Sequence, residues 1–323
     1  MENWDVKRFR EKVYEPDRDF EALAQELWTY QRQHNPLVEA FASRLDATGP
    51  VSLPIRFFKE FSLQSGDSWE PRQIFTSSGT TGQLPSRHLV KDPAAYRENV
   101  LRGFHHFFPK KKYKVLALLP SYLERDSSSL VQMVRYWMEE FGLPGSGFYL
   151  YNFEALNQAL GEAMDAGEDI LLIGVAFALL DFAEQFPSQL PPDTLVMETG
   201  GMKGRKEELV RTALHQRLKA GLGVSRIVSE YGMTEMMSQA YTMEHGRFLP
   251  APSLKIWISD LHLDRLRLPF GHTGRLHFVD LANIDSCAFV ATDDLGRLYE
   301  DGSFEVMGRI DAAELRGCNL MYI

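Results

Sequence analysis

The sequence predicts an α/β fold: a mostly parallel sheet with helices, plus a smaller antiparallel β-sheet or barrel near the C-terminus. Up to about residue 250, apolar runs alternate with amphipathic segments, which is the pattern of parallel strands joined by helices. Beyond that point, strand-like segments follow one another with no helical pattern between them. We therefore expect an α/β body over residues 1–250 and an antiparallel β subdomain over residues 251–323, without a separate C-terminal domain.

The elements of the body follow from hydrophobic periodicity. Apolar residues at helical spacing predict helices over 18–34, 127–141 and 205–220, and only Gln31 interrupts the apolar face of the first. Asn35-Pro36, Gly142 and Gly221 end these helices. Short apolar runs predict buried strands over 114–119, 170–175, 195–198 and 226–229.

The C-terminal quarter has a different pattern. Strand-like segments cover 254–258, 274–279 and 287–291. Asp301-Gly302 stands between two further short strand segments, 297–299 and 304–306, and is a strong hairpin signal. These features predict antiparallel pairing.

Composition excludes several classes of protein. The 323 residues are 44% hydrophobic and 24% charged, which disfavours disordered, collagen-like and coiled-coil chains. The net charge of −9 disfavours sequence-independent nucleic-acid binding. Two cysteines, Cys287 and Cys318, cannot form a disulfide scaffold, so we expect a cytoplasmic protein. The longest apolar run, 170–180, is too short to span a membrane.

A hydroxyl-rich segment is the strongest candidate for a binding site. Residues 76–82 read Thr-Ser-Ser-Gly-Thr-Thr-Gly, with five hydroxyl side chains and two glycines in seven residues. Glycine allows the backbone to approach an anion, and hydroxyl and N–H groups donate to phosphate oxygens. On composition alone, a solvated surface loop is equally compatible with this segment.

Two further segments carry polar groups at strand ends. Glu230-Tyr231-Gly232-Met233-Thr234-Glu235 follows a predicted strand and contains an aromatic ring and a carboxylate. Thr292-Asp293-Asp294-Leu295 is followed by Gly308-Arg309-Ile310-Asp311. Each segment, taken singly, is also an ordinary turn.

Taken together, the types, order and spacing of these segments resemble the adenylate-forming superfamily of acyl-activating enzymes over residues 70–318. The resemblance implies ATP and Mg²⁺ as cofactors and a phosphate-binding loop made by Ser77, Ser78, Gly79, Thr80, Thr81 and Gly82. It implies adenine binding by Gly200, Gly201, Tyr231 and Gly232, and ribose binding by Asp294 and Arg309. It places Thr234 near the α-phosphate, assigns Mg²⁺ to Glu235, and makes Gly308–Asp311 a hinge motif.

The sequence departs from this superfamily in places. The phosphate loop lacks the usual Pro-Lys, for which Arg87 is a substitute, and Asp293 replaces a glycine. After Asp311 we expect the small C-terminal domain with its catalytic lysine to be absent. A branch that resembles this chain is the acyl-protein synthetase of the bacterial luminescence fatty-acid reductase system, together with the phenylacetate-CoA ligase group. The resemblance to that branch implies an acyl-carrying thiol at Cys318.

Three functions remain open at this point. The first is ATP-dependent activation of a carboxylic acid, expected to be a fatty acid, with transfer to a protein thiol of a reductase or carrier. Thr80, Thr81, Thr234, Glu235 and Cys318 are then the catalytic candidates. The second is an acyl-CoA or acyl-carrier ligase core that works with a separate C-terminal domain. The third is a non-catalytic nucleotide- or acyl-binding relative.

Overall fold

A computed structural model describes residues 4–77, 84–119, 127–200, 211–243, 246–263 and 265–310. The chain forms two compact units. Unit 1 comprises Met1–Gly103, Met233–Ala240 and Arg247–Ile323, and unit 2 comprises Phe104–Gly232 and Tyr241–Gly246. In the described ranges, no helix has the length and apolar character needed to cross a membrane.

Helices and short strands alternate along most of the chain. Before the first strand of unit 2 they are α1 (Val6–Val13), α2 (Phe20–His34), α3 (Pro36–Arg44), β1 (Leu53–Pro54), α4 (Phe57–Glu60), β2 (Gln73–Thr76), β3 (Arg87–Val90) and α5 (Pro93–Phe107). Next come β4 (Lys114–Leu118), α6 (Ser129–Phe141), β5 (Gly147–Phe148), α7 (Phe153–Asp165), β6 (Ile170–Val175), α8 (Ala176–Gln185), β7 (Leu195–Thr199), α9 (Arg211–Leu222) and β8 (Val228–Tyr231). The last are β9 (Ala240–Thr242), β10 (Phe248–Pro250), β11 (Leu254–Ser259), β12 (Thr273–Asp280), β13 (Phe289–Leu298) and β14 (Phe304–Arg309).

Unit 2 is built on a sheet with the strand order β9-β8-β7-β6-β4-β5. The pairs from β8 to β5 are parallel, and α6 to α9 provide the connections between them. Every residue of β4 and β6 is buried, as expected for strands covered on both faces. The parallel direction places the carboxyl ends of β7 and β8 side by side.

Unit 1 contains an antiparallel sheet with the order β11-β12-β13-β14-β10, and β1 runs parallel to β13. Its core includes Trp28, whose ring packs edge-on against Phe289 at 5.4 Å. Gln31 is buried because its side-chain amide donates to the carbonyl oxygens of Asn283 and Ile284, both at 2.9 Å. Gln31, the polar residue on the predicted apolar face of α2, therefore binds the loop between β12 and β13.

The fold class predicted from the sequence is confirmed. The predicted strands over 114–119, 170–175 and 195–198 coincide with β4, β6 and β7, and the hairpin at Asp301-Gly302 joins β13 to β14. The strand predicted at 226–229 begins two residues later, and the one at 287–291 starts at Phe289 and extends to Leu298. Periodicity alone does not predict several helices, which are α1, α3, α4, α5, α7 and α8.

Candidate functional site

An antiparallel hairpin in unit 1 carries the hydroxyl-rich loop. Thr76 at the end of β2 pairs with Arg87 at the start of β3. Beyond that pair, the Ser77 N–H donates to the Ser86 carbonyl at 3.1 Å, and the Ser86 N–H donates to the Ser77 hydroxyl at 2.9 Å. The Ser77 side chain therefore closes the base of the loop. The other predicted loop residues, Ser78, Gly79, Thr80, Thr81 and Gly82, lie outside the described residues.

Ser86, just before β3, and His88, within β3, are directed toward the predicted motif Glu230–Glu235. Ser86 and His88 are both buried, whereas Arg87 between them is exposed. The Nδ1 atom of His88 lies 2.8 Å from the carbonyl oxygen of Thr234. Because a carbonyl oxygen only accepts, Nδ1 donates this hydrogen bond. The strand that leaves the hydroxyl-rich loop is thus bonded to the predicted phosphate and magnesium segment.

Glu235 is a buried carboxylic acid with 7% of its surface exposed. Burial raises the pKa of its carboxyl, while the Ser86 hydroxyl and the charges of Arg309 and Lys59 lower it. The backbone carbonyl of Glu235 accepts a hydrogen bond from the Asn283 side-chain amide at 2.9 Å. The surroundings of this carboxylate therefore already contain two cations, and a bound cation would favour its ionised form further.

The chain after Glu235 is fixed by a second buried carboxylate. The N–H groups of Met237 and Ser238 donate to one carboxylate oxygen of Asp280, at 2.8 and 3.0 Å. The Ser238 hydroxyl donates to the other oxygen at 2.6 Å. Burial raises the pKa of Asp280, and these hydrogen bonds oppose the rise. Asp280 thereby restrains the conformation of the segment that carries Glu235.

The predicted ribose-binding residues are neighbours in unit 1. Asp294 on β13 is in register with Arg309 on β14, and the Arg309 Nε atom lies 3.3 Å from an Asp294 carboxylate oxygen. The Asp294 side chain is buried, whereas 78% of the Arg309 side chain is exposed. The structure therefore pairs these residues and leaves the guanidinium accessible to a ligand.

A β-bulge produces this pairing. Gly308 is opposite Leu295 and Val306 is opposite Gly296, so that Met307 is the extra residue of β14. Gly308 has φ +139°, a conformation that residues with a Cβ rarely adopt. The glycine of the predicted hinge motif is therefore required by the backbone, and the bulge brings Arg309 opposite Asp294.

The predicted adenine-binding residues lie at strand ends of unit 2. β7 ends at Thr199 and is followed by Gly200, while β8 ends at Tyr231 and is followed by Gly232. Gly200 is exposed, has φ +69° and has open space where a side chain would begin. Since Thr199 pairs with Glu230, the two segments leave one edge of the sheet side by side. Gly201 lies outside the described residues.

Buried cross-strand pairs join the ends of β7 and β8 on both faces of the sheet. On one face the Ser229 hydroxyl donates to the Glu198 carboxylate, and the Nε2 atom of His215 lies 3.2 Å from the same carboxylate. On the other face the Thr199 hydroxyl donates to the Glu230 carboxylate. Burial raises the pKa of Glu230 to about 7; the Thr199 hydrogen bond opposes this rise and Glu198 adds to it.

Sequence reasoning missed several residues that hold the predicted motifs in place, which are His88, Asn283 and Asp280 in unit 1 and Glu198 and His215 in unit 2. Two of them stand close to a motif in the sequence, because Glu198 adjoins the Gly200 segment and His88 lies two residues beyond Ser86 on the same face of the hairpin. The positions of Glu198 and His88 in the sequence could have indicated that they lie close to these two motifs. Asn283 and Asp280 are more than 40 residues from the groups they bind, so only the tertiary fold reveals their contacts.

Solved structures with the same fold include several acyl-CoA ligases. A 2-hydroxyisobutyryl-CoA ligase in an open conformation is 11% identical, with a TM-score of 0.62, and the match covers 95% of this chain and 70% of that one. ATP-bound MatB from Rhodopseudomonas palustris is 15% identical, with a TM-score of 0.54, and the match covers 76% of this chain and 50% of that one. A long-chain-fatty-acid-CoA ligase from Archaeoglobus fulgidus is 15% identical, with a TM-score of 0.53, and the match covers 77% of this chain and 53% of that one.

The family model of the LuxE acyl-protein synthetases matches residues 149–322, which is more than half of the chain. The chain belongs to the LuxE acyl-protein synthetase family. No curated protein sequence matches it significantly. The predicted membership of the adenylate-forming superfamily, nearest to the acyl-protein synthetases, is therefore confirmed. This LuxE family chain spans about half the length of MatB and of the MatB chimera that share its fold.

Proposed function

We propose that this LuxE family chain uses ATP and Mg²⁺ to activate a carboxylic acid, specifically a fatty acid, and transfers the acyl group to a protein thiol. The family match over residues 149–322 is the observation that carries the proposal. The buried Glu235 supports it, and so does the pair of the buried Asp294 and the exposed Arg309, because these residues provide groups suited to a cation and to a ribose.

In the first step, a carboxylate oxygen of the fatty acid attacks the α-phosphorus of ATP. The bond to the bridging oxygen breaks, and pyrophosphate leaves with the electron pair. We assign Thr234 and the hydroxyl-rich loop, with Thr80, Thr81 and Ser78, to hydrogen bonds with phosphate oxygens. We assign the backbone N–H groups of Gly79 and Gly82 to the same phosphate oxygens, and Ser77 closes the base of the loop.

Glu235 is the proposed ligand of the magnesium ion that accompanies ATP. The residue fits this role, because burial raises the pKa of its carboxyl and a divalent cation would compensate for the buried charge. Among the described residues, no group of three His, Cys, Asp or Glu side chains could hold a metal ion. Mg²⁺ is commonly held by one or two carboxylates together with substrate phosphates, so Glu235 suffices for this mode of binding.

The nucleoside is assigned to the remaining motif residues. The exposed guanidinium of Arg309 and the carboxylate of Asp294 are suited to hydrogen bonds with ribose hydroxyls. The Tyr231 ring is assigned to stacking on adenine, and Gly200, Gly201 and Gly232 to close backbone approach. These assignments follow the family motifs residue by residue.

In the second step, a thiolate attacks the acyl carbon of the acyl-adenylate. A thioester forms, the bond from the acyl carbon to oxygen breaks, and AMP leaves. We assign this thiol to Cys318, because a thiolate is the strongest side-chain nucleophile at neutral pH. The other cysteine, Cys287, is fully buried, and burial raises its pKa to about 12, so it is unsuited to the reaction.

A second candidate is acyl transfer to coenzyme A or to an acyl carrier. One structure with the same fold, a 2-hydroxyisobutyryl-CoA ligase, is described in complex with its acyl-adenylate and CoA. In this candidate the chain is the adenylating core and a separate C-terminal domain supplies the remaining catalytic groups.

The test is ATP–pyrophosphate exchange with a series of carboxylic acids of increasing chain length. We expect exchange with a fatty acid in the absence of CoA, together with acylation of the protein. Product turnover that requires CoA would favour the ligase candidate. Absence of exchange with every acid would favour a non-catalytic nucleotide- or acyl-binding protein.

A further inference from the structure

The strand that leaves the hydroxyl-rich loop is bonded directly to the segment that carries Thr234 and Glu235. The shortest link is the hydrogen bond from His88 Nδ1 to the Thr234 carbonyl oxygen, at 2.8 Å. His88 is one residue into β3, in register with Phe75 on the partner strand. A displacement of either segment relative to the other would break this bond.

A second path runs through Asn283. The His88 Nε2 atom lies 3.1 Å from the Asn283 side-chain oxygen, and the Asn283 side-chain nitrogen donates to the Glu235 carbonyl at 2.9 Å. Turning the amide over would put an oxygen against the Glu235 carbonyl oxygen, which is repulsive, so this orientation is fixed. Asn283 is itself held in place, because the Gln31 amide donates to its carbonyl oxygen.

Apolar rings enclose the imidazole of His88. The residue is 1% exposed, and the rings of Phe58 and Phe75 face it at 5.6 and 6.4 Å. Both partners of the ring nitrogens are acceptor oxygens, so the imidazole donates to both only when it is protonated; burial lowers its pKa, and the two hydrogen bonds oppose that effect. Removing the imidazole would take away the donor of the part-buried hydrogen bond to the Thr234 carbonyl oxygen.

We propose that His88 is a positioning residue, which fixes the Thr234–Glu235 segment relative to the strand that follows the hydroxyl-rich loop. This inference rests on the proposed function for its kinetic consequences, since Thr234 and Glu235 are the proposed phosphate and magnesium residues. Reacting groups must be closely aligned, and a misplacement of about 1 Å can reduce a rate about a hundredfold. His88 holds this alignment without touching substrate.

Four variants test the role of the Nδ1–H donor. His88→Leu removes both ring nitrogens. His88→Asn places an amide nitrogen where Nδ1 was, whereas His88→Gln places one nearer to Nε2. The matched control is His277→Leu, because His277 is another buried histidine of unit 1 and contacts Ser259 and the Trp257 ring instead.

Two measurements are made on the full chain. In ATP–pyrophosphate exchange, His88→Leu and His88→Gln should lower kcat by about 10–100-fold with less than about a threefold change in KM for ATP. His88→Asn should recover most of kcat. Hydrogen–deuterium exchange of the apoprotein over residues 233–240 should be faster in His88→Leu than in the wild type. It should return toward the wild-type rate in His88→Asn and equal that rate in His277→Leu.

The outcomes separate this inference from the proposed function. If His88→Leu matches His277→Leu in both measurements, or if His88→Asn fails to recover kcat and protection, the positioning role is wrong. If the wild-type protein exchanges pyrophosphate with no acid, the proposed function is wrong. The deuterium pattern over residues 233–240 then decides the positioning role by itself.

Discussion

The Thr199 hydroxyl donates a hydrogen bond to the Glu230 carboxylate across the paired ends of β7 and β8. One residue earlier, Ser229 and Glu198 form the equivalent pair on the other face. The two pairs fix the register of the strands at the edge from which the predicted adenine segments leave. Both carboxylates are buried, and burial raises the pKa of Glu230, so its charge state affects the stability of this edge.

The first prediction concerns the pH dependence of stability. Burial raises the pKa of Glu230 from 4.5 in the unfolded chain to about 7 in the folded one. The folded state therefore binds this proton more tightly, and the resulting stability is complete below pH 4.5 and is lost as the pH rises through 7. Glu230→Gln stays neutral and can still accept from Thr199. The free energy of unfolding of this variant should equal that of the wild type at about pH 4 and should exceed it by about 3 kcal/mol at about pH 8.

Urea unfolding at several pH values measures this difference. Glu184→Gln, at an exposed residue of α8, is the control for removing a surface carboxylate. A constant difference between Glu230→Gln and the wild type across the range would show that the pKa of Glu230 is the same in the folded and unfolded protein, and would contradict the prediction.

The second prediction separates function from stability at Glu235. Glu235→Gln should lower magnesium-dependent pyrophosphate exchange about a hundredfold, or ~2.7 kcal/mol, the scale for loss of one preorganised electrostatic group. Because burial raises the pKa of this carboxyl, removing its charge should leave the protein at least as stable at about pH 8. Exchange rates over a range of Mg²⁺ concentrations and urea unfolding at that pH provide the two measurements.

Glu305→Gln is the matched control for this change. Glu305 is a half-buried carboxylate of unit 1 on β14 that accepts a hydrogen bond from the Tyr299 hydroxyl. Its exchange rate should equal that of the wild type. Unchanged exchange in Glu235→Gln, or a large loss of stability with it, would contradict the proposed assignment of Mg²⁺ to Glu235.

Local patterns in the sequence are sufficient to predict the parallel sheet. β4, β6 and β7 are short apolar runs with clear boundaries, which is how fully buried strands are recognised. The helix α8 escapes prediction because Ala176–Gln185 continues the apolar run of β6 without a break, so periodicity does not separate strand from helix. Tertiary structure alone shows where the strand ends and the helix begins.

The candidate site residues that the sequence predicts lie in contiguous motifs, and their assignment stays a prediction. Asp294 and Arg309 belong to separate motifs, and the structure brings them within 3.3 Å. The groups that position the motifs are not predictable, because Asn283 reaches Glu235 from a distant loop and His88 reaches Thr234 across 146 residues. Such contacts depend on tertiary packing and leave no local pattern.

The third prediction tests the ribose assignment through Arg309. Its side chain is 78% exposed, so the ion pair with Asp294 contributes little to folding, and Arg309→Ala should change stability by less than about 0.5 kcal/mol. The dissociation constant for ATP should rise about tenfold, the effect of about 1.4 kcal/mol. Isothermal titration with ATP measures it, with Arg297→Ala on β13 as the control. Equal dissociation constants for ATP in Arg309→Ala and Arg297→Ala would show that Arg309 does not bind the ribose and that its pairing with Asp294 has only a structural role.

The fourth prediction identifies the acyl-carrying thiol. Incubation with ATP, Mg²⁺ and a labelled fatty acid should leave a hydroxylamine-sensitive label on the protein. Cys318→Ser should abolish this label or convert it to a more stable ester, while pyrophosphate exchange persists, because adenylation precedes transfer to the thiol. Arg316 is two positions from Cys318, and its positive charge would favour the thiolate on close approach.

Cys287 provides the matched control for this experiment. It is fully buried and burial raises its pKa to about 12, so the folded protein should not form a thioester there, and Cys287→Ala should retain the label. The Cys318→Ser variant should also resist thiol reagents until it is unfolded, since Cys287 is then its only cysteine. A thioester that survives in Cys318→Ser and disappears in Cys287→Ala would show that Cys287 carries the acyl group. If neither variant changes the label and transfer to CoA is fast, the ligase candidate is favoured, because the acyl group then reaches its acceptor without a cysteine of this chain.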